Sequence, residues 1–119
     1  MESKVIRGGE TPAVKAGWGS LQWLVGGAKD AEMGMTFGRV TFKPGQANPV
    51  HRHANCDELL FVVQGEFEHT LSEGGATRLR AGDAILIPRN EKHQARNVSA
   101  GEGVVVVAYN SAYREMIEE

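Results

Sequence analysis

Histidine is scarce in this chain, four in 119 residues, yet His51 and His53 stand two positions apart and Glu58 follows five positions later. A strand turns residues i and i+2 to the same face. Two imidazoles so spaced converge on one point, and a carboxylate at the start of the next strand can join them. His93, in the stretch GDAILIPRNEKHQARN from Gly82 to Asn97, is a fourth candidate. Three imidazoles and one carboxylate form a mixed nitrogen and oxygen donor set suited to a divalent metal. Such a set leaves two positions of an octahedron open, which suits Fe, Mn, Ni, Co or Cu, and Zn where it stays near four- or five-coordinate. At an open position an ion can polarise an oxygen atom, acidify a bound water or hold an anionic substrate. The competing assignment is that these are surface histidines or hydrogen-bonded core histidines.

The elements that must carry these groups read as strands. Fifteen glycines punctuate the chain, with little helical pattern between them. Gly17 to Val25 and Met35 to Phe42 are rich in aromatic and β-branched residues, and Lys43-Pro44-Gly45 is a turn. Glu58 to Gln64 is a strand. In Glu66 to Leu71, Phe67, His69 and Leu71 alternate with Glu66, Glu68 and Thr70, the period of a half-buried strand. A hairpin over 72–76 leads into Thr77 to Arg80, and a buried strand, Ala84 to Ile87, stops at Pro88. His93 to Val98 and Val104 to Tyr109 complete the set, and Ala112 to Glu119 reads as a short C-terminal helix. Many short strands between turn signals predict an all-β, antiparallel jelly roll, in one domain over residues 1–119.

Two stretches resemble the signature motifs of the cupin superfamily. The first, over 45–65, reads GQANPVHRHANCDELLFVVQG and matches at Gly45, His51, His53, Glu58 and Gly65. The second, over 82–97, matches at Gly82, Pro88, His93 and Asn97. It departs from the pattern at Asn90, where the family usually has glycine. Asparagine tolerates positive φ, so the same turn is expected. Sixteen residues separate the motifs, as in small single-domain members. The resemblance implies a double-stranded β-helix with one divalent metal inside, held by His51, His53, Glu58 and His93, the four that the residue pattern also singles out. It further implies a homodimer that pairs the open sheet edges, often with the N-terminal strand exchanged. Val5 and Ile6, with Leu21, Trp23 and Val25, are compatible with that exchange.

Other residues bear on the chemistry. His69 is a candidate catalytic proton shuttle if it points into the barrel, or a core histidine with a backbone partner. Cys56, between His53 and Glu58, either approaches the metal or is a small buried residue. Trp18, Trp23, Met33, Met35 and Phe37 line an apolar pocket, cover an interface or fill the core. Arg39 is a candidate for bidentate binding of a substrate carboxylate, and otherwise a surface arginine. Tyr109 is a candidate hydrogen-bond donor from the last long strand.

A net charge of −2, a pI of about 6.1 and scattered lysines and arginines give no sign of nucleic-acid or anionic-membrane partners. The apolar runs are too short to span a bilayer. One cysteine and an N-terminus without an apolar core fit a cytoplasmic protein. The function expected is that of a metal-dependent enzyme acting on a small oxygen-bearing organic molecule. A dioxygenase-type oxidoreductase is the first form and an isomerase or lyase the second. A non-catalytic ligand-binding or sensor module is the alternative from another class, because the ligand set alone does not fix a reaction.

Overall fold

The computed structural model describes residues 1–119 and consists of two antiparallel sheets. In chain order the strands are β1 (Ala13–Ala16), β2 (Gly19–Val25), β3 (Thr36–Phe42), β4 (His51–Arg52), β5 (Glu58–Gln64), β6 (Glu66–Leu71), β7 (Ala76–Arg80), β8 (Ala84–Ile87), β9 (His93–Asn97), β10 (Gly103–Tyr109) and β11 (Ile117–Glu118). The larger sheet has the order β1-β2-β3-β10-β5-β8 and the smaller β11-β4-β9-β6-β7. This is a jelly-roll barrel: strands that follow one another in sequence often lie in opposite sheets.

Burial follows the two-residue period of a strand. In β5, Glu58, Leu60 and Val62 face inward while Leu59, Phe61 and Val63 face out. In β6, Phe67 and His69 are the buried members. The valine-rich β10 lies between β3 and β5 and is buried through most of its length, which explains its nearly continuous apolar sequence. Phe42 and Phe67 meet edge to face at 5.1 Å, filling the end of the barrel away from the histidines. Asn97 closes that end, its amide donating to the carbonyls of Phe42, Lys43 and Gly101 at 3.2, 3.3 and 2.9 Å.

The turn in the second motif forms as its sequence suggests: Asn90 has φ of 68° and is the one non-glycine residue with positive φ. Its side-chain oxygen accepts from Arg52 at 2.9 Å, tying the turn to β4.

The C-terminal segment is a correction. Residues 112–119 form no helix; they bend and end in β11, with Ile117 opposite Arg52 and Glu118 opposite His51. The backbone groups of this segment are taken up by other elements. Asn55 donates to the Tyr113 carbonyl at 2.7 Å and accepts from the Glu115 amide at 3.0 Å. A helix of eight residues satisfies few backbone bonds by itself, so these long-range partners win. Near the N-terminus, the strand expected over 17–25 begins at Gly19, and Trp18 lies in the β1–β2 turn. β1 pairs with β2 of the same chain. No helix is long and apolar enough to cross a membrane.

Candidate metal centre

His51 and His93 are direct cross-strand partners on β4 and β9, in the smaller sheet. Glu58 opens β5 in the larger sheet, opposite Tyr109 and Ile87. The cluster therefore bridges the two sheets at one end of the barrel. One donor atom from each of His51, His53, Glu58 and His93 lies within 4.8 Å of the others, and all four residues are buried. The imidazole centroids stand 5.0 Å apart for His51 and His53, 4.1 Å for His51 and His93, and 5.3 Å for His53 and His93.

The backbone sets which nitrogen of each ring faces inward. Nδ1 of His51 donates to the Pro49 carbonyl at 2.7 Å, that of His53 to the Glu115 carbonyl at 2.9 Å, and that of His93 to the Glu91 carbonyl at 2.8 Å. A carbonyl only accepts, so each Nδ1 keeps its hydrogen and each neutral ring turns a lone pair on Nε2 toward the centre. Such carbonyl tethers are the usual outer support of metal-bound imidazoles.

Those lone pairs meet the Glu58 carboxylate. Oε1 lies 3.0 Å from His53 Nε2 and 3.2 Å from His93 Nε2. The His53 contact is close but lacks the alignment of a hydrogen bond, leaving its Nε2 as a buried polar atom without a partner. Buried lone pairs facing an anion require a positive charge among them, either a proton or a metal ion. A divalent ion satisfies the orphaned Nε2 and balances Glu58. The 4.8 Å spread exceeds by about half an ångström the roughly 4.2 Å across an ion with bonds near 2.1 Å, a gap that side-chain torsions can close. The donor set fits a metal.

The electrostatics agree with that geometry. Burial, reinforced by His93, pulls the His51 imidazole down to about 4, which keeps it a neutral donor at neutral pH. Burial works to raise the Glu58 carboxyl, but the imidazoles of His53 and His93 against its oxygen outweigh it and hold the group well below the usual carboxylate range. Burial also opposes a proton on His93, yet the bond to Glu58 and its charge raise that imidazole above its ordinary value.

A cavity of about 300 Å³ opens beside the cluster, and His51 and Glu58 form part of its wall. Most of the rest is apolar, including Trp18, Leu21, Trp23, Val40, Phe42, Val107 and Met116. Tyr109 also lines it, with its ring 4.9 Å from that of His53. Burial, with the nearby charge of Glu58, drives the Tyr109 phenol well above its ordinary value, so it stays a neutral donor.

Other residues singled out in the sequence fall elsewhere. His69 is buried on β6 and stacks on His93 at 5.7 Å, with neither ring nitrogen partnered; it does not line the cavity. Cys56 is a buried core residue whose thiol is pushed up by burial. Met33 and Met35 border a groove on the outer face of the larger sheet, and Arg39 is exposed there. Arg114, which the sequence did not suggest, lines the cavity, its guanidinium 4.4 Å over the Trp23 ring and 5.3 Å from that of Tyr109. A helical reading of residues 112–119 hides it, because only the extended path of the segment brings it to the site.

Residues 38–109 match the family model described as Cupin domain. Germin-like protein 3-8 of Oryza sativa subsp. japonica is 35% identical over 83 residues, covering 66% of this chain and 37% of the relative. Oxalate oxidase GF-2.8 of Triticum aestivum is 36% identical over 86 residues, covering 66% and 38%. The chain thus spans under two fifths of the length of these curated relatives. Among solved structures, one from a study of the mechanism of oxalate oxidase superposes with a TM-score of 0.78 at 26% identity, over 99% of this chain and 62% of the other. KdgF from Halomonas sp. superposes with a TM-score of 0.80 at 23% identity, over 96% and 97%, a likeness of fold alone.

Proposed function

Because the chain belongs to the Cupin domain family, we propose that it is a metal-dependent enzyme acting on a small oxygen-bearing organic molecule, with residues 1–119 as one catalytic domain. One observation carries this reading. Three tethered imidazoles and a buried carboxylate turn their free donor atoms to one point, within 4.8 Å of one another, beside an apolar cavity.

His51, His53, Glu58 and His93 would hold the ion. When bound, a divalent metal supplies Lewis acidity toward a substrate oxygen and, for a redox-active ion, a route for electrons. The remaining work belongs to the chain. The carbonyls of Pro49, Glu115 and Glu91 hold the rings in one orientation, so little reorganisation is needed when substrate arrives. The apolar wall excludes water from the reacting end. Tyr109, kept neutral, donates its phenolic hydrogen to a substrate oxygen. In this reading His69 stacks behind His93 and steadies its ring; burial pulls its imidazole down to about 4, so as a proton shuttle it relays a proton from the neutral form.

An oxidoreductase of dioxygenase type is the first form of the proposal; the likeness to oxalate oxidases supports an oxidoreductase in general rather than a dioxygenase in particular. Isomerase or lyase chemistry is the second, favoured by the neutral phenol beside Glu58. Oxygen uptake by Fe(II)-loaded protein, measured with diketones, catechols, flavonols and oxalate, tests the first form. Turnover without oxygen consumption moves the assignment to the second. Saturable binding of a ligand with no turnover supports the alternative of a non-catalytic module.

The assembly proposed is a homodimer in the cytoplasm. Its support is the outer face of the larger sheet, where Leu59, Phe61, Val63 and Leu86 are 42, 40, 48 and 77% exposed. Four apolar side chains on one face favour a covering partner.

A further inference from the structure

We infer that Arg114 is the anchor for a substrate carboxylate, and that the small molecule taken into the cavity is an organic acid with an apolar body. This deepens the metal-enzyme reading and rests on it only for the far end of the ligand.

Arg114 is the single arginine or lysine among the cavity-lining residues. It makes no salt bridge and no side-chain hydrogen bond within the chain, although ten other cationic or histidine contacts with carboxylates are made elsewhere besides that of the N-terminus. What holds it instead is aromatic. The guanidinium carbon lies over Trp23 at 4.4 Å and 5.3 Å from the Tyr109 ring, a cation–π placement that leaves its N–H donors uncommitted within the chain. The backbone on both sides of it is pinned, with Asn55 bonded to the Tyr113 carbonyl at 2.7 Å and the Glu115 amide at 3.0 Å. A fixed guanidinium with free edges is suited to a carboxylate, which it can engage through two parallel hydrogen bonds.

The placement also sets the size of the ligand. Tyr109 neighbours both polar groups, its ring 5.3 Å from the Arg114 guanidinium and 4.9 Å from the His53 imidazole. Arg114, His51 and Glu58 line the same cavity, so the ligand inferred has its carboxylate at Arg114, its oxygen-bearing end at the metal donors and a body larger than a two-carbon diacid to fill the space. The cavity of about 300 Å³ holds roughly ten water-sized groups, and the wall between its two polar ends is apolar. Trp23 can lie against this wall because Gly38 beneath it has no side chain: a Cβ there would be 2.6 Å from the indole. Glu118 also lines the mouth and repels an anion, which limits affinity without removing the preference.

Both tryptophans of the chain, Trp18 and Trp23, line the cavity, so their fluorescence reports its occupancy. The test titrates Zn(II)-loaded protein with 4-methyl-2-oxopentanoate, its methyl ester and oxalate, following fluorescence and calorimetry. The acid is expected to bind at least about tenfold more tightly than the ester, in line with one charge-assisted pair, and more tightly than oxalate. R114M should erase the acid-over-ester preference while zinc stoichiometry stays unchanged; R114K should keep part of it, and E118Q should tighten the acid. Equal binding of acid and ester by the unmodified protein, or no saturable binding of the acid, overturns the inference. So does a preference retained by R114M with a native near-ultraviolet spectrum; if R114M does not fold, a full preference in R114K and N55A overturns it. Zinc content separates the two readings: an Arg114-dependent preference in protein that holds no zinc leaves the anchor standing and sinks the metal enzyme. Stoichiometric zinc with no such preference does the reverse.

Discussion

Glu58→Gln in metal-free protein probes the centre most directly. The carboxylate stands 3.0 and 3.2 Å from Nε2 of His53 and His93, and both rings have their Nδ1 hydrogens committed to carbonyls. Without metal, His93 can interact favourably with Glu58 only as an imidazolium. The folded-state value of His93 is raised above 6.5, so its contribution to stability is full below 6.5 and is lost as pH rises through the raised value. Glu58 is depressed below 4.5, so its contribution is present above 4.5 and is lost as pH falls through the depressed value. The pair therefore stabilises the metal-free fold chiefly between about pH 4.5 and the raised value of His93. Removing one member of a buried pair costs about 3–5 kcal/mol. At about 2.1 cal/mol/K per residue the unfolding entropy of this chain is near 250 cal/mol/K, or about 4 °C per kcal/mol. Glu58→Gln should then lower Tm by about 12–20 °C at pH 5.5 in the presence of a chelator. At a pH above that raised value the neutral His93 presents a lone pair, and the glutamine amide can donate to it where the carboxylate cannot, so the loss should shrink toward zero. Calorimetry at the two pH values decides the matter: an equal drop at both refutes the assignment of ring nitrogens.

Three further outcomes are expected. His51→Ala and His93→Ala should each abolish stoichiometric metal by elemental analysis, because each removes a donor and its backbone tether; full retention would contradict the centre. Gly38→Ala places a methyl group 2.6 Å from the Trp23 ring and should cost about 1–3 kcal/mol by overpacking, with a shift in tryptophan emission. An unchanged Tm and spectrum would show that Trp23 does not lie over Gly38. Leu86→Lys, at the most exposed of the four apolar residues on the outer face, should convert the proposed dimer to monomer in analytical ultracentrifugation; an unchanged sedimentation coefficient counts against that face as the interface.

Much of the barrel was legible in the sequence because local period and tertiary burial agree there. Glu58–Gln64, Glu66–Leu71 and Ala84–Ile87 have the bounds their alternation and turn residues suggest, and Asn90 adopts the positive φ inferred for it. The convergence of His51, His53, Glu58 and His93 was also readable, since fixed spacing on strands determines direction. What escaped was whatever depends on distant partners. The path of residues 112–119 is decided by Asn55, Arg52 and His51 rather than by its own helical propensity, so Arg114 gave no local sign of reaching the cavity. Arg39, the arginine that did suggest a carboxylate contact, sits on a strand position whose alternation turns it outward. The carbonyl tethers on Nδ1 were equally invisible, because any residue supplies a carbonyl.

The final strand has a consequence for how the protein matures during synthesis. His51, His53, Glu58 and His93 are all translated before residue 94, yet the carbonyl that orients His53 belongs to Glu115, and β11 closes over β4 only with Ile117 and Glu118. A nascent chain therefore carries its complete set of donors for some time with one ring still free to rotate. Tight loading awaits emergence of residues 115–118 from the ribosome, the step at which the centre is finished.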